Sequence, residues 1–333
     1  MRVPYDTMKA EFIRVLNKYG ITGERAELSA KLFTDASRDG IYTHGLNRFP
    51  KFIKSIQNGS VDVNAEAEPV EYLGMLERWD GHRGCGNLNA YHCMERAIEL
   101  AHRQTIGVVA LRNTNHWMRP GNYGLMAVDA GCIGILWTNT VPNMPPWGGR
   151  EARLGNNPVV FAIPNGDEAP ALLDVAESMF SYGKLESYAR AGKELPVDGG
   201  LNKDQQLTRN AAEILETHQC LPIGYWKGSG ISLMLDLVAS ALSGGRTTQQ
   251  VGELPTETEL SQVFIAIDIK NMPDGEDFAR RLRASLADMQ TSMPVDPDRP
   301  VHYPGQGMMK TREDNLKNGI PVEESVWEGV LQL

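Results

Sequence analysis

The sequence predicts an α/β protein with a helical N-terminal region. Apolar residues recur at helical spacing through most of the first hundred positions, and the middle of the chain alternates strand-like apolar runs with helical stretches. A third observation narrows the class. The G-x-G-x-x-G turn that opens a doubly wound dinucleotide fold is missing: Gly84-Cys85-Gly86 is followed by Asn89 where the third glycine belongs, and Gly305-Gln306-Gly307 by Lys310.

Taken in order, Met8, Phe12, Val15, Leu16 and Tyr19 keep helical spacing until Gly20 stops the run. Residues 23–38 repeat the pattern and end at Asp39-Gly40. A third helix is expected over residues 48–57, before Asn58-Gly59, and a fourth over 87–104, before Gly107. GVVALRN (107–113) and CIGILWTN (132–139) read as buried strands around a helix at 122–130. FAI (161–163), ALLDVA (171–176) and VFIAIDI (263–269) are further strands. Residues 228–242 are apolar nearly all round, which predicts a central helix. Residues 275–290 and the stretch from Glu323 read as helical. The polar segment 193–210 reads as a long loop over a site. The expected organisation is a helical region, 1–75, packed with the segment 270–333, and a sheet domain, 76–269.

Composition excludes several classes. The 333 residues are 41% hydrophobic and 23% charged, enough to bury a core without disulfide or metal staples. A formal net charge of -9 with no Lys/Arg block argues against nucleic acid as a partner. The longest apolar stretch, 231–242, is broken by Asp236 and is too short to span a bilayer, and no signal-peptide pattern follows the first residues. Cys85, Cys93, Cys132 and Cys220 form no C-x-x-C pair, and no histidine stands at zinc-ligand spacing from them. The expectation is a cytoplasmic protein with reduced thiols and no metal.

Four clusters carry chemistry. Thr43-His44-Gly45 with Arg48 lies between two helices. Histidine is the usual proton donor near neutral pH, and arginine holds a carboxylate through its planar fork. Asn113-Thr114-Asn115-His116-Trp117-Met118-Arg119-Pro120-Gly121 follows a strand at its carboxyl end; a pocket wall and a capped turn both fit. Thr138-Asn139-Thr140 and Pro145-Pro146-Trp147-Gly148-Gly149 form a stiff irregular connection. Tyr225-Trp226-Lys227-Gly228-Ser229-Gly230 opens the apolar helix, where glycines admit either a pyrophosphate or close helix packing.

The segments THGLNRFPKFI, RNTNHWMRPGNYG, WTNTVPNMPPWGG, GNNPVVFAIP, SMFSYGKLE and GYWKGSGISLMLDL together resemble the malate/L-lactate dehydrogenase family that is distinct from the Rossmann lactate dehydrogenases. The resemblance runs along most of the chain. It implies a mixed-sheet, non-Rossmann NAD(P)-binding fold, a homodimer with its site near the subunit interface, and a small keto acid as substrate. It implies His44 as proton donor, and as cofactor segments Pro170, Ala171, Leu172, Leu173, Asp174, Val175 and Ala176, then Trp226 and Lys227, then Gly305, Gln306 and Gly307. Beside it, the chemistry of keto-acid reduction gives Arg48 the substrate carboxylate and sets His116 in the same pocket. The expected activity is reduction of a 2-keto sugar acid with NAD(H) or NADP(H), the alternative being a malate-, lactate- or ureidoglycolate-type 2-hydroxy acid dehydrogenase. Two departures stand out. The third cofactor segment lacks its usual acidic residue. An acidic position of the family falls on Asn202, which leaves Asp198 and Asp204 as weak candidates to orient His44.

Overall fold

The computed structural model describes residues 1–333, except for the side chain of Glu276. The chain begins with β1 (Arg2–Val3), α1 (Tyr5–Lys18) and α2 (Gly23–Arg38). Two 3₁₀ turns, Tyr42–His44 and Leu46–Arg48, lead into α3 (Phe49–Gln57). A hairpin of β2 (Glu68–Leu73) and β3 (Leu76–Asp80) turns at Gly74, whose positive φ of 68° suits glycine. Next come α4 (Gly86–Gln104), β4 (Ile106–Thr114), α5 (Gly121–Asp129) and β5 (Cys132–Thr138). After an irregular stretch follow β6 (Val159–Ile163), β7 (Ala171–Val175), α6 (Tyr182–Ala191), β8 (Gly200–Leu201), β9 (Leu207–Thr208) and α7 (Ala211–Thr217). Then come α8 (Trp226–Ser243), α9 (Thr248–Val251), β10 (Leu260–Asp268) and α10 (Gly275–Gln290), and finally α11 (Gln306–Asn318), β11 (Ile320–Pro321) and α12 (Glu324–Gln332).

One seven-stranded sheet has the order β2-β3-β4-β10-β5-β6-β7. β3 and β4 run parallel; the other neighbours run antiparallel. The late strand β10 inserts between β4 and β5, setting Phe264 opposite both Val109 and Leu136. This is a mixed sheet rather than a doubly wound one. Helices α4 and α5 cover one face through Ala97, Ala127, Val109, Leu136 and Phe264. The other face packs on α8 through Ala110, Val159, Ala239 and Val263.

A separate core joins the two ends of the chain. Met8, Phe12, Phe33 and Phe49 pack with Ile320, Trp327 and Val330, and Phe12 stacks on Phe49 at 4.2 Å between centroids. β1 pairs antiparallel with β11. The sheet itself begins at Glu68. Among the described residues no helix is long and apolar enough to cross a membrane.

Two expectations need correcting. Residues 228–242 are helical, but the helix is not central. Its buried positions include Ser232, Asp236, Ala239 and Ser243, while Ile231, Leu233, Met234, Leu237 and Val238 are 41–55% exposed. Hydrogen bonds fix the inner side: Asn139 donates to Asp236 at 2.9 Å, and Asn157 to the Ser232 carbonyl at 2.9 Å. The polar residues therefore face the sheet, and much of the apolar surface faces out. Segment 193–210 is not a loop over a site. It folds as the β8–β9 hairpin against α6 and α7, with Leu195 packed on Leu185 and Ile214. Its polar residues close local turns, as when Asn202 Oδ1 accepts from the Asp204 and Gln206 amides.

One ionic knot ties the three regions together. Asp39, just past α2, is fully buried at its side chain and receives Arg312 of α11 through two bonds of 2.8 Å, Arg119 of the β4–α5 loop at 2.6 Å and Arg38 at 2.7 Å. Burial alone would raise this carboxyl. The hydrogen bonds from Arg312, Arg38 and Arg119 outweigh it and hold Asp39 well below the usual carboxylate range. Removing one member of such a pair leaves uncompensated buried charge. Asp39→Asn should therefore lower unfolding stability by about 3–5 kcal/mol in urea denaturation. A loss under about 1 kcal/mol, the range of a surface pair, would contradict this account.

Candidate active site

A cavity of about 1140 Å³ lies where the 3₁₀ turns, the loops after β4, β5 and β7, and the start of α11 converge. Each wall has a local cause. Gly45 allows the sharp turn after His44, because a Cβ there would meet the Ser37 backbone nitrogen at 2.8 Å. The Ser37 hydroxyl accepts from the Leu46 amide at 2.8 Å and pins the same turn to α2. His44 and Arg48 are thereby set on one wall.

The loop after β4 is strapped down by residues that never face the cavity. Asn115 Nδ2 lies 2.8 Å from the Arg83 carbonyl and 2.9 Å from that of Gly84, and Tyr123 donates to the Trp117 carbonyl at 2.6 Å. Met118 is held at φ 65°, a strained position for a non-glycine residue. The cluster read from sequence is thus a capped turn and a pocket wall at once: Asn115 anchors, while His116, Met118 and Arg119 line.

His44 and His116 lie near-parallel, 5.9 Å between ring centroids. The Met118 amide donates to His116 Nδ1 at 3.0 Å, so the neutral ring carries its hydrogen on Nε2. His44 Nδ1 sits 3.1 Å from Thr43 Oγ1, which leaves Nε2 for a ligand. Burial, then the charges of Arg48 and Arg119, lower His44 to about 4. Burial, then Arg48, His44 and Lys51, lower His116 as well. In the open cavity both rings are neutral at neutral pH. Asp198 and Asp204 take no part: Asp198 pairs with Arg209 at 3.4 Å, and neither lines the cavity.

The cationic lining groups are each engaged. Arg48 faces Glu257 at 3.8 Å, Lys51 pairs with Glu186 at 2.8 Å, Arg190 with Glu323 at 3.1 Å, and Arg119 with Asp39. Only the Arg48 pair is both long and partly exposed, so Arg48 is the cation most easily turned toward an incoming carboxylate.

Two of the three segments expected to hold the cofactor, 170–176 and 305–307, meet at the far wall. Gly305, at φ 93°, lies so close to β7 that a Cβ would stand 2.7 Å from the Pro170 carbonyl oxygen. The Leu172 amide donates to the Pro304 carbonyl at 2.9 Å. Leu172, Asp174 and Ala176 line the cavity; Ala171, Leu173 and Val175 alternate onto the other side of the strand. Asp174 accepts from the Gly121 amide at the start of α5, 3.0 Å away. Gly305 and Gly307 line the cavity, whereas the Gln306 side chain bonds Gln290 at 3.0 Å and lies 3.0 Å from His302 Nδ1. Trp226 and Lys227 are not brought here. They are exposed at the start of α8, where the neighbouring Tyr225 packs edge-on to Trp147 at 4.9 Å.

The residues present fit an anionic dinucleotide. Arg119 Nε is buried with no hydrogen-bond partner, and a Cβ on Gly121 would come within 3.2 Å of it. Gly307 has open space where a side chain would be. Among the described residues, one group close enough to share a metal ion is His102, Cys132 and Asp268, which sequence spacing did not show because they come from α4, β5 and β10. It lies outside the cavity lining, and Asp268 there already bonds His102 at 2.8 Å and Asn271 at 2.6 Å.

Sequence reasoning missed Asp39, Glu257, Asn143, Asn156 and Tyr182 as parts of this site. Asp39 carried only the signal of a helix stop. Tyr182 lay within a segment that carried the family resemblance but had no chemical pattern of its own.

The malate/L-lactate dehydrogenase family matches residues 3–331. The chain is 42% identical over the whole of both chains to 2,3-diketo-L-gulonate reductase of Citrobacter koseri, and 42% identical, over 98% of each, to that of Mannheimia succiniciproducens. Among solved structures it resembles malate dehydrogenase from Pyrococcus horikoshii OT3, with a TM-score of 0.89, 31% identity, and 99% and 93% of the two chains covered. It also resembles sulfolactate dehydrogenase from Methanocaldococcus jannaschii, with a TM-score of 0.88, 29% identity, and 99% and 95% covered.

The histidine pair generates a direct test. Because Arg48 is the largest charge lowering His44 after burial, Arg48→Met should raise the His44 midpoint above about 4. Imidazole NMR titration of the unliganded protein reads this. An unchanged midpoint would remove Arg48 from the electrostatics of the site.

Proposed function

The chain belongs to the malate/L-lactate dehydrogenase family, and on that premise we propose that it reduces 2,3-diketo-L-gulonate at C2 to 3-keto-L-gulonate, with His44 as proton donor. It is an oxidoreductase of keto and hydroxy acids that works with a nicotinamide cofactor. The observation that carries the reading is one cavity lined by a histidine pair, an arginine able to turn inward, and two of the three cofactor segments.

The residues fitted to hold the cofactor are Leu172, Asp174, Arg119, Gly305 and Gly307, and the bound nicotinamide supplies hydride to C2. The chain's own groups do the rest. Arg48 leaves Glu257 and takes the C1 carboxylate, which orients the carbonyl. That carboxylate offsets the Arg48 charge, so His44 becomes more basic and holds a proton at Nε2. As negative charge grows on the C2 oxygen, His44 gives up that proton; a positioned acid of this kind contributes roughly 10²–10⁴-fold. His116, whose Nε2 hydrogen is fixed by the Met118 amide, donates a hydrogen bond toward the same oxygen.

We favour NADH over NADPH. Arg48, Lys51, Arg119 and Arg190 each already face a carboxylate, so the cavity offers a 2′-phosphate no free cation among the described residues. The four free, buried cysteines support a cytoplasmic setting.

We also propose a homodimer. Phe161 and Leu173, cross-strand partners on β6 and β7 that are 42% and 37% exposed, share the sheet face that α8 covers, and α8 itself exposes apolar side chains. A monomer rarely leaves such a patch open. Leu173 precedes Asp174, so this interface would border the cavity.

Two outcomes are expected. In a panel of 2-keto acids assayed by loss of reduced-cofactor absorbance, 2,3-diketo-L-gulonate with NADH should give the highest kcat/KM. His44→Ala should cut kcat by about 100-fold or more with NADH binding retained, and Arg48→Lys should chiefly raise KM for the keto acid. A His44→Ala enzyme of near-normal kcat would refute the mechanism, and oxaloacetate as the best substrate would replace the proposed one. In light scattering, the 36.8 kDa chain should behave as a dimer, and Met234→Glu with Leu237→Lys should give monomers. A monomeric wild-type mass would overturn the dimer.

A further inference from the structure

One wall of the cavity is more polar than the reduction of a simple keto acid requires. A carboxylate clamp and an acid suffice for pyruvate, and Arg48 and His44 supply them. Yet Asn143, Asn156, Tyr182 and His218 form a second set, and none of them serves that chemistry.

The set is built with fixed directions. Tyr182 donates to the Asn143 carbonyl at 2.6 Å, which leaves its own oxygen free to accept. Asn143 Nδ2 donates to Asn156 Oδ1 at 2.9 Å, and Thr140 Oγ1 lies 3.2 Å from the same oxygen. With its oxygen held on that side, the Asn156 amide must present Nδ2 the other way, and among the described residues nothing accepts from it. The His218 ring, carried at φ 54° where α7 ends, lies 6.1 Å from the Tyr182 ring, and among the described residues its side chain makes no hydrogen bond. Behind them Asn143 Oδ1 is buried and unpartnered, an acceptor left unmet by the chain itself.

This wall stands beside the reacting centre. Tyr182 precedes Gly183, and Gly183 packs so tightly on Thr43 that a Cβ there would lie 2.7 Å from the Thr43 Cβ. Thr43 in turn touches His44. The wall offers donors and acceptors and, among the described residues, no lysine or arginine without a carboxylate partner. A second carboxylate, as in a dicarboxylic keto acid, would find no countercharge. A hydroxyl both donates and accepts, and such a surface suits it.

We propose that Asn156, Tyr182 and His218, backed by Asn143, form a subsite that reads the hydroxylated tail of the keto acid. The inference rests on the sugar-acid reading above and assigns the residues that enforce it. These side chains are specificity residues. They touch the tail and not the reacting carbonyl.

The test is a ratio. kcat/KM for 2,3-diketo-L-gulonate is compared with that for pyruvate in the wild type, in His218→Phe, which keeps the aromatic contact, and in Asn156→Asp, which keeps the oxygen but loses the donor. The ratio should fall by roughly 5–10-fold in each, mainly through KM for the sugar acid. Pyruvate turnover in the same preparation reports a folded enzyme. If both substrates lose together, or if neither changes, the subsite is refuted while the sugar-acid reading stands. If the wild type itself shows no preference for the hydroxylated acid, that reading falls and the subsite with it.

Discussion

The Asp39 carboxylate holds the molecule in register. It stands just past α2, on the helical side, yet two of its three guanidinium partners come from elsewhere: Arg119 from the loop that closes β4, and Arg312 from α11, the helix that Gly305 opens. Each of these places a wall of the cavity. A shift in any one would leave a buried charge without its partner, a cost far above that of a lost surface contact. Buried ion clusters add little net stability, but they penalise alternative arrangements strongly, and here the arrangement so selected is the one that sets His44 across the cavity from Leu172, Asp174 and Gly305.

The same pairing logic runs through the cavity. Lysine and arginine are present on its lining, but carboxylates of the chain already answer them, and the two histidines are kept neutral by burial and by those nearby positive charges. The lining charges are therefore paired within the chain, and on the function proposed above an anionic keto acid would change that balance. On the function proposed above, binding and protonation would be linked: a carboxylate taken by Arg48 would also relieve the repulsion that lowers His44.

How much of this was legible in the sequence depended on range. The buried runs at 107–113, 132–139 and 263–269 and the helices at 23–38 and 87–104 were readable because each obeys a local period. His44 and Arg48 were readable because they share one short turn. What could not be read was partnership at a distance. Asp39 looked like punctuation because its partners lie about 80 and 273 residues away. The helix at 228–242 was expected at the centre because apolarity says that a surface will be covered, not what will cover it. Segment 193–210 looked like a long loop over a site because its polar residues are spent on turns such as that at Asn202, which composition does not distinguish from a loop.

The pairing of β1 with β11 has a consequence for how the protein comes to be made. Met8, Phe12 and Phe49 close their core against Ile320, Trp327 and Val330. On a ribosome these early helices emerge long before their cover does. The sheet can assemble in the interval, but β10 must arrive before β4 and β5 have their shared neighbour, and α11 and α12 later still. Translation therefore carries a half-covered N-terminal surface until residues 320–330 have been made, and their arrival closes it. A chain that stalls short of residue 320 would present that apolar surface to chaperones and proteases, so quality control of this protein turns on whether residues 320–330 are in place.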